Sequence, residues 1–116
     1  MIRILHIDDD AAPQELIKGY VKLAAIPAEI VFASSREEAL DHLKSFKYDL
    51  IILDGNIHDW KNHVSEVQSR TYTEIVMYSS ECSDKMKEYL NSGAKSAFDK
   101  GSVGTKALIA YIRSKT

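Results

Sequence analysis

Short apolar segments alternate with segments of helical periodicity from one end of the chain to the other. The apolar segments lie at residues 2–7, 29–33, 48–53, 75–78 and 97–98, and each is short enough to be a strand. Between them, apolar residues recur at the spacing of one face of a helix. Strands and helices that alternate in this way predict a parallel sheet with helices packed on both faces.

Several of the predicted helices have recognisable ends. Pro13 suits the first turn of the first helix, and Pro27 ends that segment. Ser35 and Glu38 fit a capping box at the start of the second helix. Gly93 stops the helix that precedes the fifth strand. The residues expected on the core face of the first helix are Leu16, Ile17, Tyr20, Leu23 and Ala24.

The composition indicates one ordinary globular domain. The net charge of −2 over 116 residues gives no sign of the positive charge that proteins use to bind nucleic acid or an anionic membrane. Cys82 is the only cysteine, which excludes an internal disulfide and fits a reducing compartment. No apolar stretch approaches the roughly 20 residues that span a bilayer, and the N-terminus is unlike a signal peptide. We therefore expect a single cytoplasmic domain over residues 1–116, with no output domain and no nucleic-acid or membrane partner.

The most informative residue is Asp54, which ends the apolar run at residues 50–53 and is followed by Gly55. Four branched aliphatic residues in a row are typical of a strand that is buried on both faces. A charged carboxylate is costly at the end of such a strand unless it is exposed or takes part in chemistry there. Ligands of open α/β sheets bind outside the carboxyl ends of the strands, so Asp54 marks a candidate site.

Polar residues follow four of the five predicted strands. They are Asp8, Asp9 and Asp10 after the first strand, Asp54 after the third, Ser79 and Ser80 after the fourth, and Asp99 and Lys100 after the fifth. Because crowded carboxylates repel one another, such a cluster favours a hard divalent cation such as Mg²⁺. A lysine and a hydroxyl opposite would complete a site for a phosphoryl group, with one aspartate as the nucleophile.

In their order and spacing, segments 4–9, 50–54, 75–80 and 93–100 resemble the receiver (CheY-like) domain of two-component response regulators. The resemblance extends over essentially the whole chain. It implies a flavodoxin-like, doubly wound sheet of five parallel strands in the order 2-1-3-4-5, with about five helices. It also implies a phospho-acceptor signalling domain that is not an enzyme beyond its own phosphorylation and slow autodephosphorylation.

The same resemblance implies a metal site that surrounds the phospho-acceptor. Asp54 would accept the phosphoryl group and also bind the cation, which would be Mg²⁺ or Mn²⁺. Asp9 would bind the cation directly, and Asp8 would bind it through a water molecule. The backbone carbonyl of Asn56 would complete the protein's share of the ligands.

Two further residues would contact the phosphoryl group itself. Ser79 would donate a hydrogen bond to a phosphoryl oxygen, and Lys100 would pair with the phosphate. The implied donor is a phosphohistidine on a sensor histidine kinase or on a histidine phosphotransfer protein. The chain would then act as a stand-alone regulator, either by binding a downstream protein or by passing the phosphoryl group on in a phosphorelay.

Three features depart from the family pattern. Gly101 follows Lys100 where the family usually has a proline after a cis peptide bond. Since a cis bond without proline costs about 3 kcal/mol, we expect a trans bond and a displaced Lys100. Ala97 replaces the family's switch aromatic, so we expect that no tyrosine or phenylalanine rotates in behind Ser79 when it moves toward the phosphate. The segment that follows Asp54 is shorter than usual, so we expect a short or displaced third helix.

Two other functions stay open on the sequence alone. A degenerate receiver would act as a phosphorylation-independent protein-interaction module, which Ala97 and Gly101 favour. A haloacid-dehalogenase-type phosphatase would use Asp8 and Asp10 as its Asp-x-Asp pair, but the chain has no room for the usual capping insert.

The remaining hypotheses concern histidines and one tryptophan. His58 and His63 suggest a transition-metal site in the loop after Asp54, although they lack the spacing of a zinc motif. His6 lies inside the first strand, where we expect a core residue whose hydrogen bonds are satisfied. We expect Trp60 to pack against the third helix.

Overall fold

The computed structural model describes all residues from 1 to 116, and five strands alternate with five helices. In chain order they are β1 (Ile2–Ile7), α1 (Ala11–Leu23), β2 (Ala28–Ala33), α2 (Arg36–Ser45), β3 (Leu50–Asp54), α3 (Trp60–Gln68), β4 (Ile75–Ser79), α4 (Cys82–Asn91), β5 (Ser96–Asp99) and α5 (Ser102–Ser114). None of the helices combines the length and apolar content needed to cross a bilayer.

The strands form one parallel sheet in the order β2-β1-β3-β4-β5, which confirms the predicted fold class. The sheet separates two apolar cores. One core contains side chains from α2, α3 and α4, and the other contains side chains from α1 and α5. Since all five strands run in the same direction, the residues that follow them meet at one edge of the sheet.

The central strand β3 is buried along its whole length. Leu50 and Ile52 belong to the core under α1 and α5, whereas Ile51 and Leu53 belong to the opposite core. This division follows from the period of two along a strand, which turns successive side chains to opposite faces. Burial on both faces therefore requires the unbroken apolar run, and Asp54 lies at the sheet edge where this run ends.

The helix ends follow local chemistry, with one difference in the capping box. The Glu38 N–H donates to Ser35 Oγ at 3.1 Å, as a helix N-cap requires. The Glu38 carboxylate accepts from Ser34 and not from Ser35, so the reciprocal half of the box is absent. Gly93 has a φ of 107°, the left-handed conformation that favours glycine after a helix.

The helical faces were predicted less well than the helices themselves. In α1 the buried residues are Ile17 and Val21, whereas Leu16 is 43% exposed and Leu23 is 85% exposed. The expected core face of this helix was therefore wrong for both leucines. Helix α3 is the shortest of the five, with nine residues, as the weak pattern after Asp54 predicted.

Candidate functional site

Two neighbouring strands bring three carboxylates together. Strands β1 and β3 pair in parallel, so Asp8 and Asp9 follow β1 beside Asp54 at the end of β3. One oxygen from each of the three carboxylates lies within 4.8 Å of the others. Asp8 and Asp54 are buried, whereas Asp9 is exposed. Burial raises the pKa of Asp8, and the charge of Asp54 raises it further. A hydrogen bond from the backbone of Asp10 lowers it, but the pKa stays above its usual range.

Lys100 places its ammonium group beside two of these carboxylates. Its Nζ lies 2.9 Å from Asp54 Oδ1 and 3.1 Å from Asp8 Oδ2. Burial lowers the pKa of Lys100, but the hydrogen bonds and charges of the two aspartates outweigh burial and raise it overall. The chain has no cis peptide bond, so the bond before Gly101 is trans as expected. The expected displacement of Lys100 was wrong.

The loop that carries Lys100 is held by a glycine that sequence reasoning missed. A Cβ atom at Gly104, in the first turn of α5, would lie 2.1 Å from the carbonyl oxygen of Asp99. Helix α5 therefore packs directly on the backbone next to Lys100. The Gly101 N–H donates to the Asp99 carboxylate at 2.7 Å, and the Lys100 N–H donates to the Ser79 carbonyl at 3.1 Å. The available signal was a glycine inside a helix, where it costs stability.

Asn56 ties the loop after β3 to the loop after β4. Its backbone N–H donates to Asp54 Oδ1 at 2.9 Å. Its side chain donates from Nδ2 to Ser80 Oγ at 2.7 Å and accepts the Ser80 N–H at 3.0 Å. Asp54 Oδ1 therefore accepts hydrogen bonds from both Asn56 and Lys100, and Asp54 Oδ2 is left for other chemistry. The role of the Asn56 carbonyl as a metal ligand stays a prediction.

An aromatic side chain does lie behind Ser79, although Ala97 cannot supply it. The Ser79 hydroxyl is fully buried, accepts the Glu81 N–H at 2.9 Å, and lies 2.8 Å from the hydroxyl oxygen of Tyr89. The Tyr89 hydroxyl also donates to the Gly55 carbonyl at 2.9 Å. Sequence reasoning missed this ring, because it comes from α4 and not from the position of Ala97.

The structure does not bring the two loop histidines into one metal site. His58 is exposed, whereas His63 is buried in α3 and its Nε2 has no hydrogen-bond partner. Asp59 pairs with Arg36 at 3.0 Å. The only group of three potential metal-ligating side chains is the aspartate cluster described above. Burial is the main reason that the pKa of His63 is lowered.

The rings of Trp60 and His6 are both buried, but their contacts differ. Trp60 is 4% exposed and packs edge-on against Tyr89, with ring centroids 4.6 Å apart. His6 is fully buried in β1, but neither of its ring nitrogens has a hydrogen-bond partner in the protein. The expectation of a satisfied core histidine was therefore wrong. Its Nε2 lies 3.9 Å from Asp8 Oδ2, beyond hydrogen-bond distance.

The sequence matches the family described as "Response regulator receiver domain" over residues 4–113. The chain belongs to this family. Receiver domains are phospho-acceptor signalling domains of two-component systems, so the phosphatase hypothesis is set aside. No curated protein sequence matches the chain.

Solved receiver structures resemble this one over nearly their full length. A two-component response regulator from Clostridium difficile is 26% identical, with a TM-score of 0.83 over 98% of this chain and 94% of that chain. A CheY-like receiver domain protein from Methanospirillum hungatei is 22% identical, with a TM-score of 0.81 over 99% of this chain and 93% of that chain. The response regulator TrrA from Thermotoga maritima, solved with Mg²⁺-BeF, is 24% identical, with a TM-score of 0.80 over 100% of both chains.

Proposed function

We propose that this receiver domain accepts a phosphoryl group on Asp54 from a phosphohistidine and signals through a protein partner. The proposal rests on the hydrogen bonds that hold the Asp54 carboxylate. Its Oδ1 is fixed by Lys100 Nζ at 2.9 Å and by the Asn56 N–H at 2.9 Å. This leaves Oδ2 as the nucleophile, and the Asp54 carboxylate as a whole lies beside those of Asp8 and Asp9.

The donor set at this edge fits Mg²⁺, and Mn²⁺ takes the same ligands. All three clustered side chains offer carboxylate oxygens, the ligands that a hard divalent cation prefers. Asp8 Oδ2 is buried, and Lys100 Nζ forms an ion pair with it at 3.1 Å. We assign Asp9 and Asp54 as direct ligands, Asp8 as a ligand through water, and Asn56 as a ligand through its backbone carbonyl. When bound, the cation would neutralise negative charge on the phosphoryl oxygens.

The proposed transfer needs a nucleophile and fixed positive charge, and the chain supplies both. A lone pair of Asp54 Oδ2 attacks phosphorus, an O–P bond forms, and the P–N bond to the donor imidazole breaks with its electrons on the imidazole. Lys100 pairs with the transferred phosphoryl group and so reduces its repulsion by Asp54. Ser79 donates a hydrogen bond from its hydroxyl to a phosphoryl oxygen. Water later cleaves the acyl phosphate and restores the carboxylate.

We propose a sensor histidine kinase or a histidine phosphotransfer protein as the donor. The output is the binding of a downstream protein or the passage of the phosphoryl group along a phosphorelay. The net charge of −2 gives no support to direct contact with nucleic acid. A cytoplasmic setting agrees with the single buried cysteine, which suits a reducing compartment.

The decisive experiment is phosphorylation by acetyl phosphate with Mg²⁺, read by intact mass. The wild-type protein should gain one phosphoryl group, and Asp54→Asn should gain none because the nucleophilic oxygen is lost. Asp41→Asn is a matched control, since this aspartate is exposed in α2 and does not belong to the cluster. It should be labelled like wild type.

Two outcomes would contradict the proposal. Labelling of Asp54→Asn at the wild-type level would refute the acceptor assignment. A folded wild-type protein that takes no phosphoryl group would favour a phosphorylation-independent interaction module, which the small side chain of Ala97 also favours.

A further inference from the structure

Both backbone polar groups of Lys100 have partners outside the loop that carries it. The Lys100 N–H donates to the Ser79 carbonyl at 3.1 Å. The Lys100 carbonyl accepts a longer hydrogen bond, at 3.3 Å, from the hydroxyl of Thr105 near the start of α5. Thr105 is fully buried. The backbone position of the lysine therefore depends on the end of β4 and on a side chain of the helix that follows.

Tyr78 approaches the same lysine at two points. It is fully buried and lies opposite Asp54 in the pairing of β3 with β4. Its hydroxyl oxygen lies 2.6 Å from Thr105 Oγ1. The centre of its ring lies 5.8 Å from Lys100 Nζ, within the range of a cation–π contact. One residue of β4 therefore contacts the ammonium directly and the lysine backbone through Thr105.

The protons of the two hydroxyls can be assigned from their partners. A carbonyl only accepts, so the single hydroxyl proton of Thr105 serves the Lys100 carbonyl. Thr105 Oγ1 is then the acceptor for the phenol of Tyr78. Burial is the main reason that the pKa of Tyr78 is raised, so the phenol keeps its proton at neutral pH. The hydrogen bonds form one chain from Tyr78 through Thr105 to Lys100.

The ion pairs of Lys100 do not fix its position by themselves. Its ammonium lies between two carboxylates, and a lysine side chain is a flexible four-carbon stem. The next residue is Gly101, which has a permissive backbone and no side chain to pack. The absence of a side chain at Gly104 lets α5 approach the loop closely enough for Thr105 to reach the Lys100 carbonyl.

We propose that Tyr78 and Thr105 are positioning residues that hold Lys100 beside Asp54 for the transfer of the phosphoryl group. This inference rests on the proposed function, because it assumes that Lys100 pairs with the transferred group. Both residues act through the lysine, since the Asp54 carboxylate takes its hydrogen bonds from Asn56 and Lys100. The two hydroxyls give the turn after Lys100 the rigidity that Gly101 does not provide.

The first test compares the initial rates at which acetyl phosphate with Mg²⁺ labels wild type, Thr105→Val and Thr105→Ser. Valine keeps the shape of threonine but removes the hydroxyl, so labelling should be about fivefold slower, the factor that one ordinary hydrogen bond provides. Serine keeps the hydroxyl and should restore a rate close to that of wild type. A folded Thr105→Val protein that is labelled at the wild-type rate would overturn the inference, because the hydroxyl would then only satisfy a buried phenol.

Tyr111→Phe is the matched control in the same helix. It removes a hydroxyl by which α5 bonds Glu74, which precedes β4 at the opposite edge of the sheet. This variant should be labelled like wild type. Slowing equal to that of Thr105→Val would mean that any loosening of α5 slows the reaction, and it would refute a specific role of Thr105.

Tyr78→Phe tests the other end of the chain of hydrogen bonds, and it decides the question if Thr105→Val does not fold. It keeps the ring that faces the ammonium and removes only the donor to Thr105. Its labelling should be slower than wild type but faster than that of Thr105→Val. A wild-type rate would contradict the role of the phenol.

The second test asks whether Thr105 acts through the lysine. In a Lys100→Met background the labelling is already slow, and Thr105→Val should cause no further slowing, because the group that it positions is gone. A second loss of about fivefold in this background would show that Thr105 acts independently of Lys100. That result would refute the inference.

A third measurement separates this inference from the proposed function. Urea unfolding of Lys100→Met, Asp54→Asn and the double variant gives the coupling free energy of the ion pair without phosphorylation. In a Thr105→Val background this coupling should be at least halved, and an unchanged coupling would refute the positioning of the lysine. If the wild-type protein cannot be labelled, the proposed function fails, whereas a reduced coupling would still establish that Thr105 holds Lys100 beside Asp54.

Discussion

Replacement of His6 by leucine should flatten the dependence of stability on pH. His6 lies within β1, where it is fully buried between the rings of Phe32 and Tyr78, with centroids 5.7 and 6.1 Å away. Burial lowers its pKa most, and the charge of Lys100 lowers it further, whereas the charge of Asp54 raises it. The net effect lowers the pKa of His6 from 6.5 to about 4. Leucine has a similar volume and carries no titratable group.

The sign and size of the effect follow from linkage. Below pH 6.5 the unfolded chain binds a proton at His6, whereas the folded protein does not until about pH 4. The free energy of unfolding therefore decreases as the pH falls through this window. At about 1.4 kcal/mol per pKa unit, the total from His6 is about 3 kcal/mol between pH 7 and pH 4. The raised pKa of Asp8 acts in the opposite direction, but both proteins retain it.

The assay is urea unfolding at a series of pH values from 7 down to 4.5, followed by circular dichroism. The difference in unfolding free energy between His6→Leu and wild type should grow in favour of the variant as the pH falls. His58→Gln changes an exposed histidine and should keep the wild-type slope. Parallel curves for wild type and His6→Leu would refute the reasoning, because they would mean that the folded protein protonates His6 as readily as the unfolded chain.

Two other predictions concern Lys100 and the loop that holds it. Lys100→Met should leave Mg²⁺ binding in a calorimetric titration but slow phosphorylation by acetyl phosphate, because the phosphoryl group loses a fixed positive charge. Its unfolding free energy should fall by about 3 kcal/mol because buried carboxylates lose their cation. Phosphorylation of this variant at the wild-type rate would contradict the role of the lysine. Gly104→Ala should lose about 3 kcal/mol in urea unfolding, since its Cβ meets the Asp99 backbone at 2.1 Å. Gly19→Ala, with nothing within 4 Å in α1, should gain about 1 kcal/mol, and equal effects at the two glycines would refute the packing argument.

The sheet and the set of residues at its edge were predictable because both depend on local patterns. A buried parallel strand requires an unbroken apolar run, and residues 50–53 provide one that ends directly at Asp54. Parallel direction then brings Asp8, Asp9, Asp54 and Lys100 to a common edge without any knowledge of side-chain contacts. The order of the strands came from the family resemblance and not from the pattern itself.

Contacts between elements that are distant in sequence were not predictable in the same way. The faces of α1 were assigned from periodicity alone, which cannot choose between Leu16 and Val21 when apolar residues lie on adjoining faces. The hydrogen bond from Tyr89 to the residue after Asp54 spans 34 positions of sequence, and the one to Ser79 spans ten. Tyr89 was visible only as one more apolar residue of a helix.

The departures from the family pattern belong to one rearrangement of the same core. Ala97 removes a ring from β5, and Tyr89 places one behind Ser79 from α4. Gly55 makes this possible, because any Cβ atom there would collide with the tyrosine hydroxyl at 2.5 Å. Since Gly55 also follows the acceptor directly, the Tyr89 ring packs against the backbone next to Asp54. A side chain at Gly55 would clash with the Tyr89 hydroxyl, and loss of the Tyr89 ring would leave a cavity beside Ser79.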